Sequence, residues 1–330
     1  MSESVGIEET TTTMDTGNET TIDRPSGRRR SDRIVGGSRA SEDVVELALA
    51  AAATEAPVVI SGPEGSGKKH ISRAIHTWSP RTDGPFVVVS CGTIEATDLK
   101  RELFGSVETA GAAESAEYGG ALARAAGGTV LIDGADSAPP EVVSSLSRAL
   151  AERRFQREGD GAAIPVRARV VVTSRQPLAD QTLAGVEHHA ITLLPLDDRR
   201  EDVLPLAAHF LRLAADDESV TPVGFTSDAR NALLAETWPG NVRELAERVR
   251  QSVKLAGSGA ISAEALLLAT DGDEIPSFKE AKRAFETRYV VGLLRRCGGN
   301  ISRAARLAKK DRKDFYDVIR RTGVNPSDFR

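Results

Sequence analysis

The sequence predicts an α/β domain with a largely parallel sheet, followed by a helical subdomain and an all-α C-terminal domain. From Ile34 to Pro195, short β-branched runs alternate with helix-length stretches, as in parallel strands that helices cover on both faces. Between Asp197 and about Gly257 no strand-like run occurs, and apolar residues recur at helical spacing. Residues 277–330 hold three helix-length segments separated by capping residues and glycines.

Individual apolar runs predict the elements of the first two parts. The predicted strands are Val58–Ile60, Phe86–Val89, Val130–Ile132, Val170–Val172 and Ile191–Leu194. The helical subdomain is predicted from Val203, Leu206, Ala207 and Phe210 and from Leu245, Val249 and Val253. We expect the α/β domain at residues 34–195, the helical subdomain at 196–257, and a polar linker at 258–276 that the apolar segment Ile261–Ala269 interrupts.

Residues 1–33 are predicted to form a disordered tail, because they are rich in Thr, Ser, Gly and charge and lack apolar periodicity. The cluster Gly27–Arg30 could contact nucleic acid, but a flexible solvated linker is the favoured interpretation. Since only this tail precedes the α/β domain, we expect no receiver or other sensory domain before it.

The composition excludes several classes of protein. The longest small-apolar run, Leu47–Ala53, is far shorter than the roughly 20 residues of a membrane span. The N-terminus lacks a secretory signal, and Cys91 and Cys297 are too far apart for metal-ligand spacing. No carboxylate or cysteine cluster accompanies His188 and His189. We therefore expect a cytoplasmic protein of about two domains with no membrane segment.

The charge of the chain is unevenly distributed. The net charge is −5, but residues 276–330 contain fifteen Lys and Arg against six Asp and Glu, so this end carries +9 and the remainder −14. A basic module on an acidic body is typical of nucleic-acid binding, and a solvated basic face is the alternative.

A phosphate-binding loop follows the first predicted strand. Gly62–Lys68 has the spacing G-x-x-x-x-G-K and precedes the helical stretch Lys69–Trp78. Glycines allow backbone N–H groups to surround phosphate oxygens at a helix N-terminus, and the lysine reaches the terminal phosphates. The sequence therefore predicts ATP or ADP binding. Lys69 stands where many such loops have a magnesium-binding Ser or Thr, which leaves a magnesium role open.

The C-terminal segment predicts three helices with defined ends. The predicted helices are a long one that ends at Cys297–Gly299, a second at Ile301–Ala308 and a third from Arg312 to about Thr322. Asn300 and Asp311 are the expected N-caps of the second and third helices, and Gly323 ends the third. One face of the first helix is predicted from Phe278, Ala281, Phe285, Tyr289 and Leu293.

Together with other motifs, the phosphate loop resembles the AAA+ domain of the sigma-54-dependent activators, the bacterial enhancer-binding proteins of the nitrogen-regulator-C type. The resemblance covers about residues 34–255 and resumes in the C-terminal helices. Besides the phosphate loop, the matching strings are Ile34–Gly36, Arg73–His76 with Ser79–Pro80, Glu102–Gly105, Gly127–Thr129, Arg199–Val203 and Trp238–Leu245.

The resemblance implies a nucleotide site and its residues. The implied nucleotide-binding residues are Ile34, Val35, Gly62, Gly65, Ser66, Gly67, Lys68, Lys69, Asp133 and Arg243. Asp133 matches the Walker B aspartate that helps to hold Mg²⁺ in the family, and Arg243 matches the second sensor arginine. An alternative for Arg243 is a surface ion pair with Glu247.

Several positions that the family uses for hydrolysis differ in this chain. Gly134 replaces the Walker B glutamate, the general base, and such a group contributes about 10²–10⁴ in rate. Ser90 and Ser174 replace the asparagine that positions the base and the residue that senses the γ-phosphate. The arginine fingers align with Ala179 and Gly185, and a finger contributes roughly 10³–10⁵ in turnover. We therefore expect a pseudoenzyme.

The loop through which the family contacts the sigma factor, GAFTGA, also differs. The aligned stretch Thr109–Glu114 lacks the aromatic residue and the second Thr-Gly. We therefore expect that the chain does not remodel sigma-54 RNA polymerase.

The C-terminal helices resemble the Fis-type helix-turn-helix, most specifically at Gly298–Ala305. The resemblance implies that the third helix enters the major groove of double-stranded DNA. The implied DNA-binding residues are Arg303, Lys309, Lys310, Arg312, Lys313, Tyr316, Arg320 and Arg321. Lys309 stands where the family usually has glycine. A dimer through these helices would present its two recognition helices about 34 Å apart.

These inferences favour a sequence-specific DNA-binding regulator that binds ATP without hydrolysing it. Its expected partners are DNA, further copies of itself through the C-terminal helices and the AAA+ domain, and RNA polymerase. One alternative is an active ATP-dependent sigma-54 activator with substituted catalytic groups. Another is a modulator that forms mixed oligomers with an intact activator.

Overall fold

The computed structural model of the chain describes residues 34–110, 114–177, 186–269 and 278–329. The predicted tail at 1–33 lies outside these residues. The helices of the first part are α1 (Arg39–Ala52), α2 (Lys68–Trp78), α3 (Ala96–Phe104), α4 (Ala121–Arg124) and α5 (Pro140–Glu152). Its strands are β1 (Val58–Ser61), β2 (Phe86–Ser90), β3 (Ser106–Ala110), β4 (Glu114–Tyr118), β5 (Thr129–Asp133), β6 (Arg154–Phe155), β7 (Ile164–Pro165), β8 (Arg169–Ser174) and β9 (His189–Thr192).

Five of these strands form one parallel sheet in the order β2-β5-β8-β1-β9. Side chains alternate between two cores: Val130 and Ile132 pack with α3, α4 and α5, whereas Leu131 and Val171 pack with α1 and α2. The strand pairs β3–β4 and β6–β7 are small antiparallel additions. The predicted parallel sheet is therefore confirmed, and the carboxyl ends of its strands meet at one edge, where ligands bind in open α/β sheets.

The last strand begins two residues earlier than predicted. The sequence indicates Ile191–Leu194, but the strand is His189–Thr192, because its four residues pair in register with Val58–Ser61 of β1. The ladder ends where β1 ends. Leu194 is 42% exposed, so its apolar character did not mark a buried strand position.

A helical lid follows the sheet. Its elements are α6 (Val203–Glu218), β10 (Gly224–Phe225), α7 (Ser227–Ala235), α8 (Asn241–Ala256), β11 (Ala260–Ile261) and α9 (Ala263–Leu268). The predicted apolar positions of α6 and α8 pack together with Trp238 in one core. The prediction that residues 197–257 contain no strand is wrong by the two residues of β10, which are too few to produce a periodicity.

The prediction of a linker from residue 258 is wrong for its first half, which forms β11 and α9. Gly257 closes α8 with a φ of +55°, and the chain then turns back so that β11 pairs in parallel with β10. Ile261 and Leu266 are buried in the lid core. The lid thus continues to Ala269, and residues 270–276 of the predicted linker lie outside the described residues.

The C-terminal helices are α10 (Phe278–Arg296), α11 (Ile301–Leu307) and α12 (Arg312–Thr322). The Asn300 side chain accepts a hydrogen bond from the Arg303 N–H at 3.0 Å, which confirms the predicted cap of α11. Asp311 occupies the N-cap position of α12 without a side-chain capping bond, and Gly323 ends this helix with a φ of +75°. In the described part of the chain, no helix is long and apolar enough to cross a membrane.

The buried face of α10 differs from the predicted one. Val290, Leu294 and Cys297 are buried against α11 and α12, whereas Tyr289 is 42% exposed and Leu293 lies at the edge of this core. The core is therefore rotated by one residue from the predicted stripe. Its partners on α11 are small residues that admit aliphatic side chains closely. The side chains of 278–285, which include the other predicted positions, lie outside the description.

The assignment of α9 to the lid can be tested by truncating its buried leucine. Leu266 is 4% exposed, so we expect Leu266→Ala to lower the free energy of unfolding by about 2–4 kcal/mol through loss of burial and formation of a cavity. Leu255→Ala on the exposed side of α8 is the control and should change it by less than about 1 kcal/mol. Equal effects in urea-unfolding experiments would support the linker interpretation instead.

Candidate nucleotide-binding site

A cavity of about 570 Å³ lies where the phosphate loop, the end of β5 and the lid meet. This volume is within the range of small-molecule and cofactor sites. All the predicted nucleotide-binding residues except Gly62 line it. Gly62 begins the loop, and its carbonyl accepts a hydrogen bond from Lys68 Nζ at 2.6 Å. The structure thus brings together residues that are far apart in the sequence.

The phosphate loop needs its central glycine for two independent reasons. Gly65 has a φ of +73°, a conformation that L-residues adopt only at a cost. A Cβ atom built on Gly65 would lie 2.1 Å from the carbonyl oxygen of Gly240 in the lid. The Gly65 carbonyl also accepts a hydrogen bond from the Arg243 N–H at 3.1 Å. Glycine therefore allows the loop and the start of α8 to pack backbone to backbone.

The polar atoms of the loop are arranged around the cavity. Lys68 Nζ donates to the carbonyls of Gly62 and Pro63 at 2.6 and 2.8 Å. Burial lowers the pKa of Lys68, and the nearby carboxylates of Asp133 and Asp136 oppose this shift. The buried hydroxyl of Ser66 has no hydrogen-bond partner within the described chain. An unpaired hydroxyl on the wall of a cavity is suited to a polar ligand.

Asp133, at the end of β5, has both carboxylate oxygens engaged. Oδ1 accepts a hydrogen bond from the Thr173 hydroxyl at 2.7 Å, and Oδ2 lies 3.0 Å from Lys69 Nζ. Thr173 also accepts a hydrogen bond from the Gly134 N–H at 3.0 Å. Many phosphate-loop proteins have a magnesium-binding hydroxyl directly after the loop lysine. In this chain that position is Lys69, whose ammonium contacts the Asp133 carboxylate.

The positions of the predicted catalytic departures are defined at the same edge. Gly134 has a φ of +72° and a ψ of +47°, so the residue after Asp133 is in the left-handed region. Ser90 is the register partner of Asp133 on β2, and the buried Ser174 donates to the carbonyl of Gln176. Ala179, Gly185 and the centre of the Thr109–Glu114 loop (111–113) lie outside the described residues.

Arg243 projects from the first turn of α8 toward the phosphate loop. Its guanidinium donates to Glu64 Oε1 at 2.8 Å and lowers the pKa of that carboxyl group. The alternative that Arg243 pairs with Glu247 is wrong, since Glu247 pairs with Arg250 at 2.9 Å. Arg243 therefore remains on the cavity wall, where a second sensor is expected.

A buried network that the sequence interpretation did not identify joins the lid to the loop. Burial lowers the pKa of the Arg199 guanidinium, and Asp202 opposes this shift. Arg199 donates to the Ser66 carbonyl at 2.9 Å and lies 3.6 Å from the fully buried Asp202. The Asp202 carboxylate accepts hydrogen bonds from the Gly37 N–H (2.7 Å), the Ser38 N–H (2.7 Å) and hydroxyl (2.9 Å), and the Ser41 hydroxyl (2.6 Å).

Apolar lid residues complete the cavity wall. Beside the predicted Ile34 and Val35, this wall includes Leu206, His209, Phe210, Leu213, Val242 and Ala246. Leu206 and Phe210 were predicted only as core residues of the lid, and both also contribute to that core. The available signal was the width of the apolar stripe on α6, which exceeds what one core requires.

The predicted DNA-binding residues lie together on the surface of the C-terminal helices. Arg303, Lys309, Lys310, Arg312, Lys313, Tyr316, Arg320 and Arg321 are all exposed. Phe315 and Ile319 on the opposite side of α12 are buried. Lys309 has a φ of +50°, which explains why a glycine suits this turn. Arg321 is paired with Glu286 of α10 at 3.0 Å.

Comparisons with known proteins agree with this architecture. Residues 34–189 match the sigma-54 interaction domain, and residues 197–281 match the AAA+ ATPase lid domain. The chain is 31% identical over 298 residues to the transcriptional regulatory protein GlrR of Escherichia coli K12, covering 87% of this chain and 67% of that protein. It is 31% identical over 316 residues to ZraR of Salmonella typhimurium, covering 92% and 72%.

The chain belongs to the sigma-54-dependent transcriptional regulators. Its fold is similar to that of NtrX from Brucella abortus in complex with ADP, with a TM-score of 0.63, 29% identity, and coverage of 89% of this chain and 71% of that chain. NtrX in complex with ATP gives a TM-score of 0.61. The predicted family and the AAA+ fold are thereby confirmed, and the match at 197–281 agrees with a lid that extends past residue 257.

The buried network of this regulator predicts a large effect of one substitution. Asp202→Ala would leave Arg199 buried without its counter-charge, so we expect a loss of about 3–5 kcal/mol in the free energy of unfolding. Glu218→Ala removes the exposed pair with Lys254 and should cost less than about 1 kcal/mol. A comparable small loss for both variants in urea-unfolding curves would show that the network is dispensable.

Proposed function

We propose that this chain is a sequence-specific DNA-binding transcriptional regulator whose AAA+ body binds ATP or ADP and does not hydrolyse ATP. In this proposal it does not remodel sigma-54 RNA polymerase. The observation that carries the proposal is the state of the carboxylates in the cavity. Beside the phosphate loop, each carboxylate that lines the described cavity is paired with a cation.

Nucleotide binding is supported by the fit of the cavity. The loop offers backbone N–H groups at the N-terminus of α2 and the ammonium of Lys68, both of which suit phosphates. The apolar wall from the lid suits a nucleobase. The relative NtrX is known in complex with ADP and with ATP. In this chain the phosphate loop follows β1 at the carboxyl edge of the parallel sheet.

Loss of hydrolysis is supported by the state of the carboxylates. The acidic residues that line the described cavity are Glu64 and Asp133, and they are paired with Arg243 and Lys69. A general base must accept a proton from the attacking water, and Arg243 lowers the pKa of the Glu64 carboxyl group, which makes Glu64 a weaker proton acceptor. Gly134 supplies no side chain at the position of the family's glutamate. The cavity is therefore suited to holding a nucleotide rather than to cleaving it.

Nucleotide binding and ATP turnover should be measured on the same preparation of the full chain. We expect binding of ATP and ADP by calorimetry, and turnover below that of an active relative by about 10³-fold or more, because the base is missing. Lys68→Ala should abolish binding, and Lys100→Ala, far from the cavity, should preserve it. Clear turnover that Lys68→Ala abolishes would favour the active sigma-54 activator instead.

DNA binding is supported by the surface of α11, the following turn and α12. Nine basic or aromatic residues are exposed there, the eight predicted ones and Arg306, in a segment that carries +9 over residues 276–330. Arg312 begins α12, and an arginine at the start of a recognition helix suits bidentate contact with guanine. Lys309 and Lys310 in the preceding turn suit contact with phosphates. Two copies, joined through α10, would read two half-sites.

Two substitutions should separate base recognition from phosphate contact. After site selection from random DNA, Arg312→Ala should relax the preference at one base pair and cost about 1–3 kcal/mol on the selected site. Lys310→Ala should weaken binding to all sequences and reduce the salt slope by about 1. Lys254→Ala in the lid is the control. Unchanged binding to the selected site by both C-terminal variants would contradict the assignment of this surface.

A further inference from the structure

The corner of the cavity where a metal ion would bind has an unusual set of donors. Phosphate-loop proteins hold Mg²⁺ with the Walker B aspartate and, in many cases, a hydroxyl directly after the loop lysine. Mg²⁺ requires oxygen ligands in octahedral geometry at about 2.0–2.1 Å. Lys69 follows Lys68 here and offers only N–H donors. The residues present therefore do not fit a magnesium ion.

The lysine is also positioned to exclude the metal. Lys69 Nζ lies 3.0 Å from Asp133 Oδ2, the oxygen that Thr173 leaves open. A divalent cation could reach this carboxylate only if Lys69 moved away, and the two positive charges would then repel each other at close range. Since Lys69 lies on the first turn of α2, its Cα cannot leave the cavity wall.

The ion pair has little value for the stability of the fold. The Lys69 side chain is 59% exposed, and ion pairs with such exposure contribute little to the stability of a fold. Its consequence is instead electrostatic and local. Lys68, Lys69 and Arg243 all line the cavity. The phosphate end of the cavity thus already contains fixed positive charge that a metal ion would otherwise bring.

We propose that Lys69 replaces the magnesium ion, so that the cavity binds ATP or ADP as the metal-free nucleotide. Asp133 serves in this arrangement as the anchor that orients Lys69, rather than as a metal ligand. The inference rests on the proposed nucleotide binding in the same cavity. It adds the chemical form of the ligand and a role for two residues of the chain.

Calorimetric titration of the full chain with ATP and with ADP, in excess EDTA and in excess Mg²⁺, tests the inference. The wild-type protein should bind at least as tightly in EDTA as in Mg²⁺. Lys69→Ser removes the fixed cation and supplies a hydroxyl, so its affinity in EDTA should fall by about tenfold and Mg²⁺ should restore it in part. Lys100→Ser, which removes an exposed pair with Glu158, is the matched control and should behave as wild type.

Asp133→Asn provides a second, independent measurement. If Asp133 only anchors Lys69, this variant should keep its affinity in EDTA within about threefold of wild type. If Asp133 holds a metal, the variant should instead lose an affinity gain that the wild type shows on addition of Mg²⁺. Thermal unfolding of each variant checks that it is folded.

Three results would overturn the inference while leaving nucleotide binding intact. They are weaker wild-type binding in EDTA than in Mg²⁺, equal affinity of wild type and Lys69→Ser in EDTA, and a loss of Mg²⁺-dependent affinity in Asp133→Asn. Absence of binding by the wild type in both buffers is a different outcome, because it would refute the proposed nucleotide function itself.

Discussion

The arrangement of the site depends on the contacts of one buried carboxylate, that of Asp202. It accepts hydrogen bonds from Gly37 and Ser38 at the start of the described chain and lies beside Arg199, which in turn donates to Ser66 in the phosphate loop. A buried charge of this kind is tolerated only when its partners are all present. The N-terminal segment, the lid and the loop are therefore fixed together, and the cavity exists only where the three meet.

The lid adds a second connection that depends on backbone geometry. Gly65 approaches Gly240 so closely that no side chain fits, and the Asn241 side chain bridges the carbonyl of Glu64 and the N–H of Leu196 at 2.8 Å each. Asn241 itself has a φ of +56°, a conformation that asparagine tolerates better than most residues. The lid consequently contacts the loop through both main-chain and side-chain groups, so a nucleotide between them would be held by both parts of the domain.

Local patterns predicted much of this structure, and non-local pairing explains the rest. The parallel strands, the phosphate loop and the cap at Asn300 depend on neighbouring residues and are visible in the sequence. The pairing of β10 with β11 involves only two residues of each strand, which is too short to give a periodicity in the sequence. The predicted lid therefore ends before its last strand and helix. The contact of Lys69 with Asp133 joins residues 64 positions apart, and each alone looked like an isolated departure or match. The predicted buried face of α10 is offset by one residue because Tyr289, an aromatic residue with the spacing of a core position, is exposed in the structure.

The differences from an active member of the family form one consistent set. Gly134 occupies the left-handed region, where an L-residue costs about 1–2 kcal/mol, so a glutamate at this position would strain the backbone. Lys69 engages the neighbouring aspartate, while the loop, Lys68 and Arg243 keep their places on the cavity wall. In the proposed function, a nucleotide present at about 100 times its Kd would stabilise the folded AAA+ domain by about 2.7 kcal/mol. Retention of the binding residues beside altered catalytic ones is therefore expected of a domain whose nucleotide acts as a structural ligand.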